Sequence, residues 1–227
     1  MTGALLRLPI ARLSRTPRAW IPVGAWAALT LAAAWAARST GSAHGADHAL
    51  VGAYGALALP LLVYGVVAAT LGGDGLARAC GSLVAFGAPA SRAALATIGV
   101  AIGASAIIGA LLAAAVAAFA HGMSDPPLAR DLATSAWIGA LGAAAYAAYF
   151  CFGATFGARG GGRSAALVID WIFGAGSGAT ALLFPRPHLR NLLGGAPALE
   201  MSQRGALVAL VVVTVVFALL AVARARR

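Results

Sequence analysis

The 227-residue chain contains no lysine, six acidic residues, four histidines and two cysteines. Each shortage closes off a kind of chemistry. A phosphate-binding loop of the Gly-x4-Gly-Lys-Ser/Thr type needs its lysine, so the chain is no nucleotidase of that kind. Cys80 and Cys151 are too few and too far apart for a metal motif or a disulfide framework, and read as small apolar fillers. Long polar stretches are missing as well: those between the apolar runs reach at most about twenty residues, which leaves no room for a soluble domain. Only 10% of the residues are charged, against roughly a quarter in an ordinary soluble protein.

Three apparent catalytic or metal motifs fail on the same shortages. Gly176, Ser177 and Gly178 are similar to the nucleophile segment of rhomboid proteases, but no apolar run carries a histidine to take the serine's proton. The run Asp74, Gly75, Leu76, Ala77, Arg78 looks like the start of a lipid phosphotransferase signature, one residue short and with no second aspartate to bind metal. His44, Asp47 and His48 have an i, i+3, i+4 spacing, but Gly41 and Gly45 make the segment a loop of solvated residues. The expectation is a protein without catalysis, cofactor or metal.

What is abundant is apolar sequence, 61% of the residues, at a mean hydropathy of +0.89. Six runs approach or exceed the roughly 20 residues needed to cross a ~30 Å hydrocarbon layer. They are residues 19–37, 50–71, 93–120, 132–157, 165–184 and 205–223 of a single transmembrane domain. Arginine orients them. Arg7, Arg12, Arg15, Arg18, Arg78, Arg92, Arg159, Arg163, Arg224, Arg226 and Arg227 flank one side; Arg38, Arg130, Arg186, Arg190 and Arg204 flank the other. The positive-inside rule therefore puts both termini in the cytoplasm. The net charge of +10 is accounted for by anionic headgroups of the lipid bilayer, without nucleic acid as a partner. Residues 1–18 read as a short basic segment, broken by Pro9 and Pro17. It lies in the interface or forms a disordered tail; a cleaved signal peptide ending near residues 34–43 is the competing reading.

Inside the runs, Gly99 with Gly103, Gly153 with Gly157 and Gly174 with Gly178 have the four-residue separation that lets helices approach closely. Pro60 should kink or loosen the second span. Asp170 is the one acid within a span. It pairs with Arg163 seven residues earlier or caps a neighbouring helix, or else it belongs to a proton or substrate route.

The loop between the second and third runs is the most patterned. Gly72, Gly73, Asp74 and Gly75 end the span. Leu76, Ala79, Cys80, Leu83 and Val84 then form one apolar stripe, with Arg78 beside it and Phe86 beyond, before Gly87 and Pro89 stop the helix. Ser91 is placed to cap the third span. The helix either rests on the membrane or plugs into a cytoplasmic partner.

With a basic start, six spans, this amphipathic loop ending in Phe86, Gly87, Ala88, Pro89, Ala90, Ser91, Arg92, and an outer segment from Pro185 to Gly195 opened by proline and closed by glycine, the chain resembles the ABC-2 type transporter permeases. The resemblance covers nearly the whole length. It implies an all-α polytopic protein of the inner (cytoplasmic) membrane and an ATP-driven exporter whose pathway is formed by a homodimer or a paired sister permease. Separate ABC ATPase subunits would dock on Leu76, Arg78, Ala79, Cys80, Leu83, Val84 and Phe86. A membrane-embedded accessory or scaffold protein and a small secondary transporter are the alternatives.

Overall fold

The computed structural model describes residues 2–39, 45–122, 127–157 and 159–226. His44, part of the metal-like spacing, lies outside them. Among the described residues there is helix and turn but no strand. Helix α1 (Thr2–Arg15) continues past Pro9 rather than ending there. Pro17 opens α2 (Pro17–Ser39) at the first helical position, where a missing N–H costs nothing.

A short turn of helix, α3 (Gly45–His48), continues through a π-helical stretch, Ala49–Ala58, into α4 (Leu59–Thr70), making one rod of 26 residues. Gly72 and Gly73, both at positive φ, end it and turn the chain into α5 (Leu76–Ala85). The long helices α6 (Ala90–Ala120) and α7 (Leu128–Gly153) follow. Ser91 does not cap α6: the helix begins one residue before it, after Pro89, with no side-chain cap. The chain then forms α8 (Gly162–Phe173), a 3-10 turn at Ala179–Leu183, α9 (Pro185–Leu192) and α10 (Gln203–Ala225).

Five helical rods are long and apolar enough to cross a membrane: Trp20–Ser39, Gly45–Thr70, Ala90–Ala120, Leu128–Gly153 and Gln203–Ala225. They match five of the six runs read from sequence to within about five residues at each end. Residues 165–184 do not form a sixth continuous helix. Regular winding stops at Gly174, whose N–H makes the last i→i−4 bond to Asp170. Each glycine in a helix interior costs about 1 kcal/mol, and three of them fall between residues 174 and 178. A 12-residue helix is about 18 Å long, too short to span alone.

Helices α6 and α7 form the most extensive pair in the bundle. A Cβ built on Gly109 would stand 2.6 Å from the Ala143 Cβ, and one on Gly139 would stand 2.6 Å from the Ala113 Cβ. Only hydrogen fits at these two positions. The closest approach thus uses Gly109 with Ala113 against Gly139 with Ala143, not the glycine pairs singled out from sequence. Gly99 and Gly103 are exposed with nothing near them, and Gly178 likewise has open space around it. Of the others, Gly153 packs on the start of α8, Gly157 is a turn residue at φ 80° and Gly174 abuts Asp170 and Arg186. On the outer faces of α2 and α10, Ile21, Leu29, Trp35, Val208, Val212 and Leu219 are exposed, apolar surface that suits lipid rather than water.

Candidate functional site

Among the described residues, the buried charged side chains Arg163 and Asp170 mark two places in the bundle. One end gathers the start of the chain, α5 and the loop after α7. The backbone N–H of Leu76 donates to the Ala154 carbonyl at 3.0 Å, tying the start of α5 to the end of α7. From α1, Arg12 donates through Nη1 to the Ala79 carbonyl (2.7 Å) and through Nη2 to Ser82 Oγ (3.3 Å). The Arg163 guanidinium is buried there, lying over the Tyr64 ring and donating to the Gly73 carbonyl at 3.2 Å. Arg224, near the chain's end, stacks on Phe156. Both the start and the end of the described chain therefore sit at the α5 end of the bundle.

The apolar stripe of α5 divides in two. Leu76, Ala79, Cys80 and Leu83 are buried against the bundle, where Cys80 Sγ lies 3.7 Å from Thr97 Oγ1 of α6. Val84 and Arg78 are exposed, and Phe86 is 90% exposed. The stripe seats the helix on its own protein, and an outside partner could reach only the opposite face and the Phe86 end. Burial also pushes the Cys80 thiol above its ordinary pKa, an effect that the Thr97 contact and the Arg12 charge only partly offset. Since the thiolate is the reactive form, Cys80 and the buried Cys151 should resist maleimide in the folded protein, whereas a cysteine in place of Phe86 should label readily. Labelling followed by mass spectrometry, native and unfolded, checks this; fast native labelling of Cys80 would mean that α5 is not seated on α6.

The second place is deeper. Asp170, on α8, is fully buried, and its Oδ2 accepts from Arg186 Nε (3.1 Å) and from Tyr146 Oη (3.0 Å). Arg186 also donates through Nη2 to the Ala56 carbonyl at 2.9 Å. The partner of Asp170 is therefore Arg186, not Arg163. Positions 163 and 170 do share a helical face, but Arg163 turns to the Gly73 loop, and Arg186 is brought in from the first turn of α9. Asp170 sits where three elements meet, two turns from the start of α8.

His188 and Asn191 of α9 are buried too. His188 Nε2 lies 2.8 Å from the Leu182 carbonyl, and Asn191 Nδ2 donates to the Met201 carbonyl at 2.7 Å. Both fasten the segment between α8 and α10. Ser177 is exposed in the turn after α8, and no hydrogen bond joins it to His188. Among the described residues no group of three or more His, Cys, Asp or Glu is placed to hold a metal. Sequence reasoning missed the role of Arg186, having assigned it to an outer loop; the signal available was Pro185 and Pro187 starting a helix immediately after an apolar run.

These features define a multi-span, all-helical membrane protein with a small helix seated at one end and a buried ion pair in its interior. No protein-family model, curated protein or solved structure matches the chain.

Proposed function

We propose that this chain is the membrane-spanning permease subunit of an ATP-driven exporter of the ABC-2 type, working in the cytoplasmic (inner) membrane as a homodimer or with a sister permease. The observation that carries the reading is α5: a short helix between two spans, locked to α1, α6 and α7, that presents Arg78, Val84 and the almost fully exposed Phe86 away from the bundle. A large exposed aromatic at the tip of an anchored helix is the kind of side chain that fills a pocket on a partner. Rigid seating would let the partner's movement pass into α6 and α7, the central helix pair. In this reading the α5 end faces the cytoplasm, in keeping with the arginine count, and α8 with the 3-10 turn supplies the sixth crossing in two pieces.

Separate ATPase subunits are the proposed partners, with ATP binding in them closing the pair and rocking the spans. The four buried residues of α5 take no part in that contact. The secondary-transporter alternative would rest on Asp170, and a carboxylate already held by a guanidinium and a tyrosine hydroxyl is a poorer proton carrier than an unpaired one. A photo-crosslinking residue at position 86, in cells that make the full chain, should capture an ATPase subunit, and the same probe at buried Leu83 should capture none. Capture of no ATPase from position 86, with the chain stable and inserted, counts against the reading.

A further inference from the structure

A recess of about 190 Å³ opens between the π-helical stretch and α9. Its walls are Val51, Gly52, Gly55 and Ala56 on one side and Ala175, Arg186 and Arg190 on the other. We propose that this recess binds a phosphate-bearing anion, carried on a lipid headgroup or free in solution.

Three independent features converge on it. First, the wall facing the arginines carries two glycines beside Val51 and Ala56. Both glycines lie in a π-wound segment, a rare geometry concentrated at functional sites, and a Cβ at Gly52 would meet nothing within 4 Å. Second, Arg186 and Arg190 are four residues apart on α9, so they line the same side. Third, the charges around the recess do not cancel. Arg186 shares the single carboxylate of Asp170, whereas Arg190 donates only to carbonyls, through Nε to Ala196 (2.9 Å) and through Nη1 to Ala175 (3.2 Å). Those carbonyls orient the guanidinium without neutralising it, and no salt bridge to Arg190 is found among the described residues. Both guanidinium groups line the space, and among the described residues the only carboxylate bonded to either of them is that of Asp170. Planar forks of this kind match a phosphate's oxygens.

Size narrows the ligand. Pockets for drug-sized molecules run to about 300–1,000 Å³, so this one would take a headgroup or a small phosphate and not a whole lipid or drug. The apolar wall of Val51 and Ala56 suits the first carbons attached to a headgroup. The proposal does not depend on the exporter reading.

The test uses the full chain purified in detergent, with binding followed by native mass spectrometry and by the shift in thermal unfolding. Phosphatidylglycerol, phosphatidylcholine and inorganic phosphate are the probes. Binding of phosphatidylglycerol should exceed that of phosphatidylcholine by about tenfold and fall by about as much in Arg190→Gln and in Gly52→Leu. The second variant adds bulk at the recess wall without altering charge, and it keeps the test decisive should Arg190→Gln fold poorly. If inorganic phosphate binds and phosphatidylglycerol does not, with the same loss in both variants, the soluble anion is the ligand. Unchanged phosphatidylglycerol and phosphate binding in Gly52→Leu would overturn the proposal.

Discussion

Replacing Arg186 with alanine should destabilise the folded protein by about 3–5 kcal/mol, the largest loss expected of any polar substitution in the chain. The magnitude follows from what is left behind. Asp170 is 0% exposed and Arg186 13% exposed, so the truncation strands a carboxylate that keeps only the Tyr146 hydroxyl. It also strips the Ala56 carbonyl of a donor. Asp170→Ala should cost a similar amount, leaving a cation among apolar helices. The double replacement Asp170→Leu with Arg186→Met should be far milder than the sum of the single changes, because an apolar pair of similar volume avoids the desolvation of two charges. Unfolding in mixed detergent micelles measures all of these. If the double variant is as unstable as the additive expectation, the two side chains are not a pair. Under the proposed permease function, a double variant that is stable but inactive would give the pair a role in transport, beyond holding α8 and α9 to the bundle.

A comparable loss is expected from Gly139→Leu, for a steric reason. A Cβ at position 139 would lie 2.6 Å from the Ala113 Cβ and 2.6 Å from Tyr54 Oη, and 2.7 Å from the Gly109 carbonyl oxygen. Two of those three neighbours are fixed to the α6 backbone, so the helices have to separate. Separation also breaks the bond from Tyr54 Oη to the Gly109 carbonyl. Leucine would gain about 1 kcal/mol in helix propensity over glycine. Overpacking of a well-filled core costs about 1–3 kcal/mol, occasionally more, and here it acts at three contacts at once, so destabilisation of about 3 kcal/mol is the net expectation. Gly99→Leu and Gly103→Leu offer the contrast. Both positions are open in this chain, so neither change should reduce the stability of the fold, measured in the same micelles. A Gly99→Leu protein that unfolds as readily as Gly139→Leu would show that the close helix pair has been wrongly assigned.

That contrast shows how much of the architecture was readable beforehand. Runs of about twenty apolar residues are visible as such because the bilayer imposes a length, and five of the six became helices long enough to span. The sixth was misread because hydropathy is blind to winding. Residues 165–184 are apolar enough, but their glycines and the anchoring of Asp170 end the helix at Gly174. The glycine pairs were found by counting four-residue separations, yet alanine serves as well as the second small residue, so Gly109 with Ala113 and Gly139 with Ala143 went unnoticed. Of the stripe on α5, Leu76, Ala79, Cys80 and Leu83 are buried and Val84 is exposed. What it faced was not in the sequence, since the same periodicity serves a helix lying on lipid, on a partner or on its own bundle.

The buried pair has the same lesson in electrostatic form. Asp170 announced itself, because an acid in an apolar run has to find a donor. Which donor depended on how the chain returned after its break: sequence spacing favoured Arg163, seven residues away, and the fold delivered Arg186, sixteen residues away, through the turn into α9. By itself, then, the sequence determined that this is a helical membrane protein, where its apolar rods begin and end to within a few residues, and that one acid inside would need a partner. Those properties follow from local composition and from the thickness of a bilayer. Tertiary structure alone decided the partner of Asp170, the glycines at the closest helix approach, the face of α5 left free and the arginine-lined recess, because each arises from elements distant in sequence meeting at one point.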